Sequence, residues 1–187
     1  MNQPGESERV QRFERQILVH LDDLHRAALR FTGHVADAED LVQETCVRAF
    51  SALDQLRHEA AAKVWVFTIL RSVFLRKVER EPARSLLVSL EEIDEAAPTA
   101  SDVLRGSYES SLPLDYVLRN ELRDAVLRLP LPYRETIILA YIVGFSYREM
   151  ANILELPVGT VMSRLFRGRR MLRACLRDSR SRSESGS

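Results

Sequence analysis

The sequence predicts an all-α protein made of two small helical domains joined by a flexible linker. Glycine is sparse, 7 in 187 residues, and no apolar alternation persists long enough to build a sheet. Apolar residues instead recur at helical spacing on both sides of one interruption. That interruption runs from Ser85 to about Pro113 and contains the acidic, Ser- and Pro-bearing SLEEIDEAAPTASDVLRGSYESSLP, a composition that reads as a tether. The expected boundaries are a disordered N-terminus over 1–9, a first domain over 10–84, the linker over 85–113, a second domain over 114–178 and a disordered tail over 179–187.

Charge limits the partners. There are 27 Lys+Arg against 27 Asp+Glu, so any surface for nucleic acid must be local and offset by acid elsewhere. No apolar run reaches the length of a membrane span, and MNQPGESERV has no signal-peptide core, so a cytoplasmic protein without membrane insertion is expected. Cys46 and Cys175, and His20, His25, His34 and His58, are scattered without metal-ligand spacing. No HExxH, CxxC, glycine-rich phosphate loop or nucleophile elbow is present. Neither a cofactor nor catalysis is expected.

In the first block, Ile17, Leu21, Leu24, Ala28 and Phe31 make an apolar stripe that Gly33 ends. Asp37 is placed to cap the next helix, with Asp40 at its third position. The seam of that helix is Leu41, Val42, Thr45, Ala49 and Leu53; its other face carries Glu39, Asp40, Gln43, Glu44 and Arg48. A polar loop, Asp54 to Ala60, leads to a helix from about Ala61 to Arg80. Val64, Trp65, Phe67, Thr68, Ile69, Val73 and Phe74 make it the most aromatic stretch, with Lys63, Arg71, Arg76, Lys77 and Arg80 around them. Aromatics interleaved with cations suit single-stranded DNA, by stacking and phosphate contacts; Phe67 and Phe74 are assigned instead to the core.

The second block opens with a helix from Leu114 to Leu129, with Leu118, Leu122, Ala125, Val126 and Leu129 inward. After the LPLPYRE turn and a break at Gly144, Ser146 and Glu149 form a capping box for a short helix to Leu154, with Ala151 and Leu154 facing inward. Glu155, Leu156 and Pro157 interrupt the pattern, since Pro suits only the first turn of a helix. A long helix follows from about Val158, with Val161, Leu165, Gly168 and Leu172 as its buried seam. Val158 to Arg177 holds six arginines and no acid. Thr160, Ser163, Arg164, Arg167 and Arg170 fall largely off the seam, and Met162 and Phe166 flank it. Two helices on a short turn, the second presenting hydroxyls and guanidiniums, is the helix-turn-helix arrangement for the DNA major groove. Small residues at Gly159 and Thr160 would let a phosphate approach the helix N-terminus.

Two stretches carry a family resemblance. FSYREMANIL followed by PVGTVMSRLFRGRRMLR closely resembles the C-terminal DNA-reading domain of extracytoplasmic-function sigma factors. ADAEDLVQETCVRAFSALDQL followed by KVWVFTILRSVFLRKVERE is similar to their N-terminal core domain. The resemblance implies a sigma region 2-like domain, a region 4-like helix-turn-helix domain, and core RNA polymerase as partner through its β′ coiled coil and β flap. It places Asp40, Gln43, Glu44 and Arg48 on the polymerase-docking surface. It places the loop from Gln55 to Lys63 and the residues Lys63, Trp65, Arg71, Ser72 and Arg76 along the separated strand of the −10 element. Within the second domain, Thr160 is the phosphate contact. Ser163, Arg164 and Arg167, with Met162, Phe166 and Arg170 beside them, reach the −35 bases, supported by Tyr147 and Arg148. Family members commonly carry Gly at the position of Glu155 and Asn at that of Ser72. An anti-sigma protein is a further partner the family implies.

The expected function is therefore an alternative sigma factor that directs promoter-specific initiation, reading −35 duplex and melting the −10 element. A free-standing helix-turn-helix repressor or activator, dimeric on duplex DNA, explains the second block equally well. It leaves the DLVQE face and the Trp65 helix without a role.

Overall fold

The computed structural model describes residues 4–80 and 120–184, and every regular element among them is helical. The first half holds α1 (Pro4–Gln16), a 3-10 turn at Leu18–His20, α2 (Leu21–Thr32), α3 (Val35–Ser51), two further 3-10 turns, and α4 (Ala62–Arg80). In the second half come α5 (Asn120–Leu127), α6 (Leu131–Ile137), a π-helical turn at Ile138–Val143, α7 (Tyr147–Leu154) and α8 (Val158–Glu184). The expected linker over 85–113, with Leu114 and Leu118, lies outside the described residues.

Sequence features set where these helices stop. Gly33 takes a left-handed φ of 77° and its N–H closes onto the Leu29 carbonyl, ending α2. Gly144, at φ 82°, does the same after the π turn, its N–H reaching Leu139 O at 3.1 Å. Both conformations are cheap only for glycine. The capping box forms as expected: Ser146 Oγ accepts from the Glu149 N–H, and Glu149 Oε2 accepts from the Ser146 N–H at 2.7 Å. Glu155 ends α7 in the left-handed region, φ 56° and ψ 44°, where a β-carbon crowds the following carbonyl.

The seams are mostly those the spacing predicts. Leu41, Val42, Thr45, Ala49 and Leu53 are buried, and Thr45 satisfies its hydroxyl by donating to Leu41 O at 2.7 Å. Val161, Leu165, Gly168 and Leu172 are likewise buried; a β-carbon on Gly168 would stand 3.2 Å from Ile137 Cγ1, so α6 and α8 approach closely there. Phe67 and Phe74 are core residues, Phe74 stacking on Phe31 at 5.0 Å.

Several expectations are corrected. Leu21 is 39% exposed, because the 3-10 turn between Ile17 and Leu21 shifts the phase of the stripe; Ala27 takes its place in the core. Asp37 does not cap α3, which begins at Val35 with His34 as N-cap and no side-chain cap bond. Ala151 is only half-buried, and Met150 and Ile153 join Leu154 inside. Helix α1 begins at Pro4, within the expected disordered stretch 1–9, and α8 runs to Glu184, into the expected tail over 179–187.

The two halves share one continuous core. Helix α2 packs on the π turn and α5, and α4 packs on α7. Leu127 lies against Gly33, where a β-carbon would come within 2.9 Å of Leu127 Cδ1. The faces of Phe67 and Phe145 meet edge to ring at 5.0 Å.

Two changes test the helix ends. Glu155→Gly should raise stability by about 1 kcal/mol in denaturant titration, by relieving the left-handed strain. Ser146→Ala should cost about 1 kcal/mol. Hydrogen bonds from the Ser146 hydroxyl and N–H hold the Glu149 carboxyl below its ordinary range. Its contribution is thus complete above the unfolded carboxyl pKa and is lost as pH falls through the lower folded value. The gap between Ser146→Ala and the parent should therefore narrow in acid.

Candidate nucleic-acid interface

Helix α4 turns two opposite faces to different surroundings. At 3.6 residues per turn, Trp65, Ile69, Ser72 and Arg76 fall on one side, and Lys63, Phe67 and Arg71 on the other. The first set, with Thr68, lines an open hollow of about 270 Å³ completed by Arg48, Ala52 and Gln55 from the end of α3 and the turn after it. A half-buried indole wall, a hydroxyl and two guanidiniums can hold one planar, hydrogen-bonding ring next to an anion. Trp65, Ser72 and Arg76 are thus brought together.

Lys63 and Arg71 are not with them. Arg71 Nε donates to Glu135 Oε1 of α6 at 2.7 Å, and the Glu135 side chain is 3% exposed. Lys63 Nζ pairs with Asp23 at 2.8 Å, donates to Val143 O at 3.4 Å and stands 5.3 Å above the Phe145 ring. Both cations sit in the seam between the halves.

That seam holds charges the apolar periodicity does not show. Arg134 is 1% exposed; its guanidinium donates to Leu127 O at 2.6 Å, Leu129 O at 3.0 Å and Phe31 O at 3.4 Å. It thereby caps the carbonyl ends of α5 and α2 together. Burial pushes its pKa down to about 10, with Glu135 pulling the other way, so it remains a cation at neutral pH. Burial pushes the Glu135 carboxyl above its ordinary range, opposed by Arg71, then Arg164 and Arg134. The only sequence signal for this pair was two adjacent opposite charges inside the apolar run LPLPYRETIILAYIV.

On α3, Asp40 and Gln43 are exposed, and Glu44 pairs with Arg48 one turn on at 2.6 Å. Gln43 also lines a cleft between α2 and α3 with Leu21, Asp22, His25, Arg26, Glu39 and Val42. Val47, 65% exposed, extends the apolar part of this surface; the exposed Leu21 and Val47 are docking candidates that seam-reading passed over. Arg48 belongs to both sets, since it also lines the Trp65 hollow.

On the second half, Tyr147 and Arg148 are exposed at the start of α7. The start of α8 is open, with Val158 39% exposed and no atom within 4 Å of a β-carbon on Gly159. Thr160, Met162, Ser163, Arg164, Phe166 and Arg167 are part-buried and Arg170 exposed along the following turns. Ser163 Oγ donates to Thr160 O at 2.9 Å, which uses its proton and leaves its lone pairs to accept. Among the described residues no cluster of His, Cys, Asp and Glu could hold a metal ion, and no helix is long and apolar enough to cross a membrane.

Comparison with known proteins covers both halves. The family model described as Sigma-70 region 2 matches residues 17–83, and Sigma-70, region 4 matches residues 119–172. The chain is 34% identical over 160 residues to the ECF RNA polymerase sigma factor EcfG of Rhodopseudomonas palustris, covering 86% of this chain and 82% of that one. To SigW of Bacillus subtilis it is 30% identical over 164 residues, covering 86% of each. Among solved structures, the sigma factor RpoE in complex with the anti-sigma factor NepR from Bartonella quintana superposes with a TM-score of 0.64 at 32% identity, covering 88% of this chain and 96% of that one.

Arg134→Met should cost about 2–4 kcal/mol of unfolding free energy, because it removes the guanidinium from the carbonyls of Leu127, Leu129 and Phe31. Denaturant titration against Arg128→Met, on the α5–α6 turn, gives the comparison.

Proposed function

Because the chain belongs to the extracytoplasmic-function sigma factors, we propose that it works as an alternative sigma factor whose two DNA-reading surfaces are the ones built above. It binds core RNA polymerase and directs promoter-specific initiation, without catalysis of its own, in the cytoplasm. Regions 10–84 and 114–178 act as the polymerase- and −10-binding domain and the −35-binding domain, joined through 85–113. The observation that carries the −10 assignment is the hollow that gathers Trp65, Ser72 and Arg76 on the outward face of α4.

The roles divide by chemistry. Asp40, Gln43 and Glu44, with Arg48, form an acidic ridge for a basic or mixed helical surface of polymerase. Trp65 stacks a base turned out of the duplex, Ser72 offers that base one hydroxyl to read, and Arg76 holds the adjoining phosphate. On duplex DNA, the open start of α8 and Thr160 take a phosphate, while Ser163, Arg164 and Arg167 face base edges, guanine above all for the arginines. Met162, Phe166 and Arg170 flank that strip, and Tyr147 and Arg148 support it from α7. Lys63 and Arg71 contact the −10 backbone once their side of α4 is exposed. The likeness to a sigma factor seen with its anti-sigma factor supports a protein of that kind as a further partner. Two weak DNA sites on one polymerase act at high effective concentration, which supplies selectivity that neither small domain has alone.

Permanganate footprinting tests this. Purified chain with core polymerase should render unpaired thymines near the start site reactive, and neither component should do so alone. Trp65→Ala should reduce that opening more than it reduces duplex binding, since stacking recovers about 1–3 kcal/mol per base only on a freed strand. Tight promoter binding by the chain alone, with no opening when polymerase is added, would instead establish a free-standing repressor or activator.

A further inference from the structure

Helix α1 belongs to none of the surfaces assigned above, and its inward face is polar where a core helix would be apolar. Arg9, Arg12, Phe13 and Gln16 recur at helical spacing and are part-buried, while the residues between them are exposed. Phe13 meets the Phe50 ring edge-on at 5.3 Å. The two arginines reach backbone instead. Arg9 Nη2 donates to Phe50 O at 2.9 Å and Ser51 O at 3.1 Å, with its guanidinium 5.2 Å above the Phe50 ring. Arg12 Nη2 donates to Leu56 O at 2.6 Å, while its Nε donates to Gln16 Oε1 at 3.1 Å.

These carbonyls lie at the end of α3 and in the turn after it, the segment that also builds one wall of the Trp65 hollow. Along residues 48–56 the two sets alternate. Arg48, Ala52 and Gln55 line the hollow, and Phe50, Ser51 and Leu56 are held by α1. The last carbonyls of a helix have no partner within it, so cationic side chains that reach them fix where the helix ends. We propose that α1 positions the base-reading hollow: Arg9 and Arg12 act through the backbone of residues 50–56 and hold Ala52 and Gln55 at the separation from Trp65 that admits a base. This rests on the −10 role proposed above for the hollow.

A helix that only added stability would not need this arrangement. Phe13 is the apolar side chain that α1 brings to the core, and Val10 is left exposed. Arg9 even keeps its Nε–H buried with no acceptor among the described residues, a cost that a solvated surface arginine avoids. Planar guanidiniums on carbonyls define a backbone position more narrowly than apolar contact does. A recognition site needs that narrowness, because its walls must be held to about 0.5 Å.

Trp65 is the one tryptophan of the chain, so its fluorescence reports the hollow directly. The full chain is compared with Arg12→Gln, Arg12→Lys and the double variant Arg9→Gln/Arg12→Gln. Acrylamide quenching of Trp65 is measured in the free chain, and binding of dye-labelled homopolymers of dA, dC and dT is measured with the chain on core polymerase. In both Gln variants quenching should rise. Their affinity for the preferred homopolymer should fall about fivefold, toward that for the other two, as the competent share of hollows drops to about a fifth. Arg12→Lys, which keeps a donor for Leu56 O, should recover most of both effects. A merely structural role would lower the melting temperature and leave quenching and preference of the folded chain unchanged. Either of these unchanged in the folded Gln variants, or a Lys variant no better than Gln, overturns the proposal. If the double variant fails to fold, Arg12→Gln decides with Arg12→Lys. Trp65→Ala is run beside them. Its keeping the parent's preference would refute the −10 reading of the hollow, whereas quenching in the arginine variants judges the positioning independently of it.

Discussion

The pair Arg134–Glu135 is the constraint on which the described structure depends. Two neighbouring residues of α6 are buried and point their charges to opposite tasks. Arg134 gathers the carbonyl ends of α5 and α2, and Glu135 takes Arg71 from α4. Groups of this kind are costly to bury without partners, so they specify where the second half must sit far more narrowly than apolar contact does. Phe67 on Phe145, or Leu127 on Gly33, would tolerate a rotation of a few degrees. A guanidinium that must meet the carbonyls of Phe31 in α2, Leu127 in α5 and Leu129 in the turn after it would not.

The helix-turn-helix is held by a different set of devices, all at chain reversals. Gly144 releases the π turn, the Ser146–Glu149 box starts α7 one residue after Phe145 has entered the core, and Glu155 turns the chain into α8. Gly168 lets α8 lie close on α6, and the start of α8 stays open, with Val158 exposed. The placing of the proposed DNA-reading helix therefore follows from caps and one small residue, not from its arginines.

Much of this was legible in the sequence, and what was not has physical reasons. The seams of α3 and α8 were read correctly because an uninterrupted helix keeps its phase, so Leu41 predicts Thr45 and Val161 predicts Leu165. Leu21 was misread because a three-residue 3-10 turn, with three residues per turn instead of 3.6, lies between it and Ile17. The cap of α3 was misplaced because a favourable Asp37 outscored His34, although propensity yields to packing. The family resemblance supplied the DNA-facing residues, and the structure divides its −10 set in two. No pattern of apolar spacing could have shown that Lys63 and Arg71 face the second half, since the groups they meet there, the Val143 carbonyl and the Glu135 carboxylate, lie 80 and 64 residues away.

The division of α4 also explains how a chain with equal numbers of cations and anions can serve a polyanion. Among the described residues several of its cations are matched in pairs: Lys63 with Asp23, Arg48 with Glu44, Arg71 with Glu135. Two of these pairs lie at the seam, and one of them crosses it. Both seam cations stand on the side of α4 opposite the Trp65 hollow, where Arg76 lies beside the indole. Positive charge is thus divided along one helix, part of it matched by carboxylates at the seam and part of it on the hollow's rim, so a neutral composition is compatible with a locally basic surface.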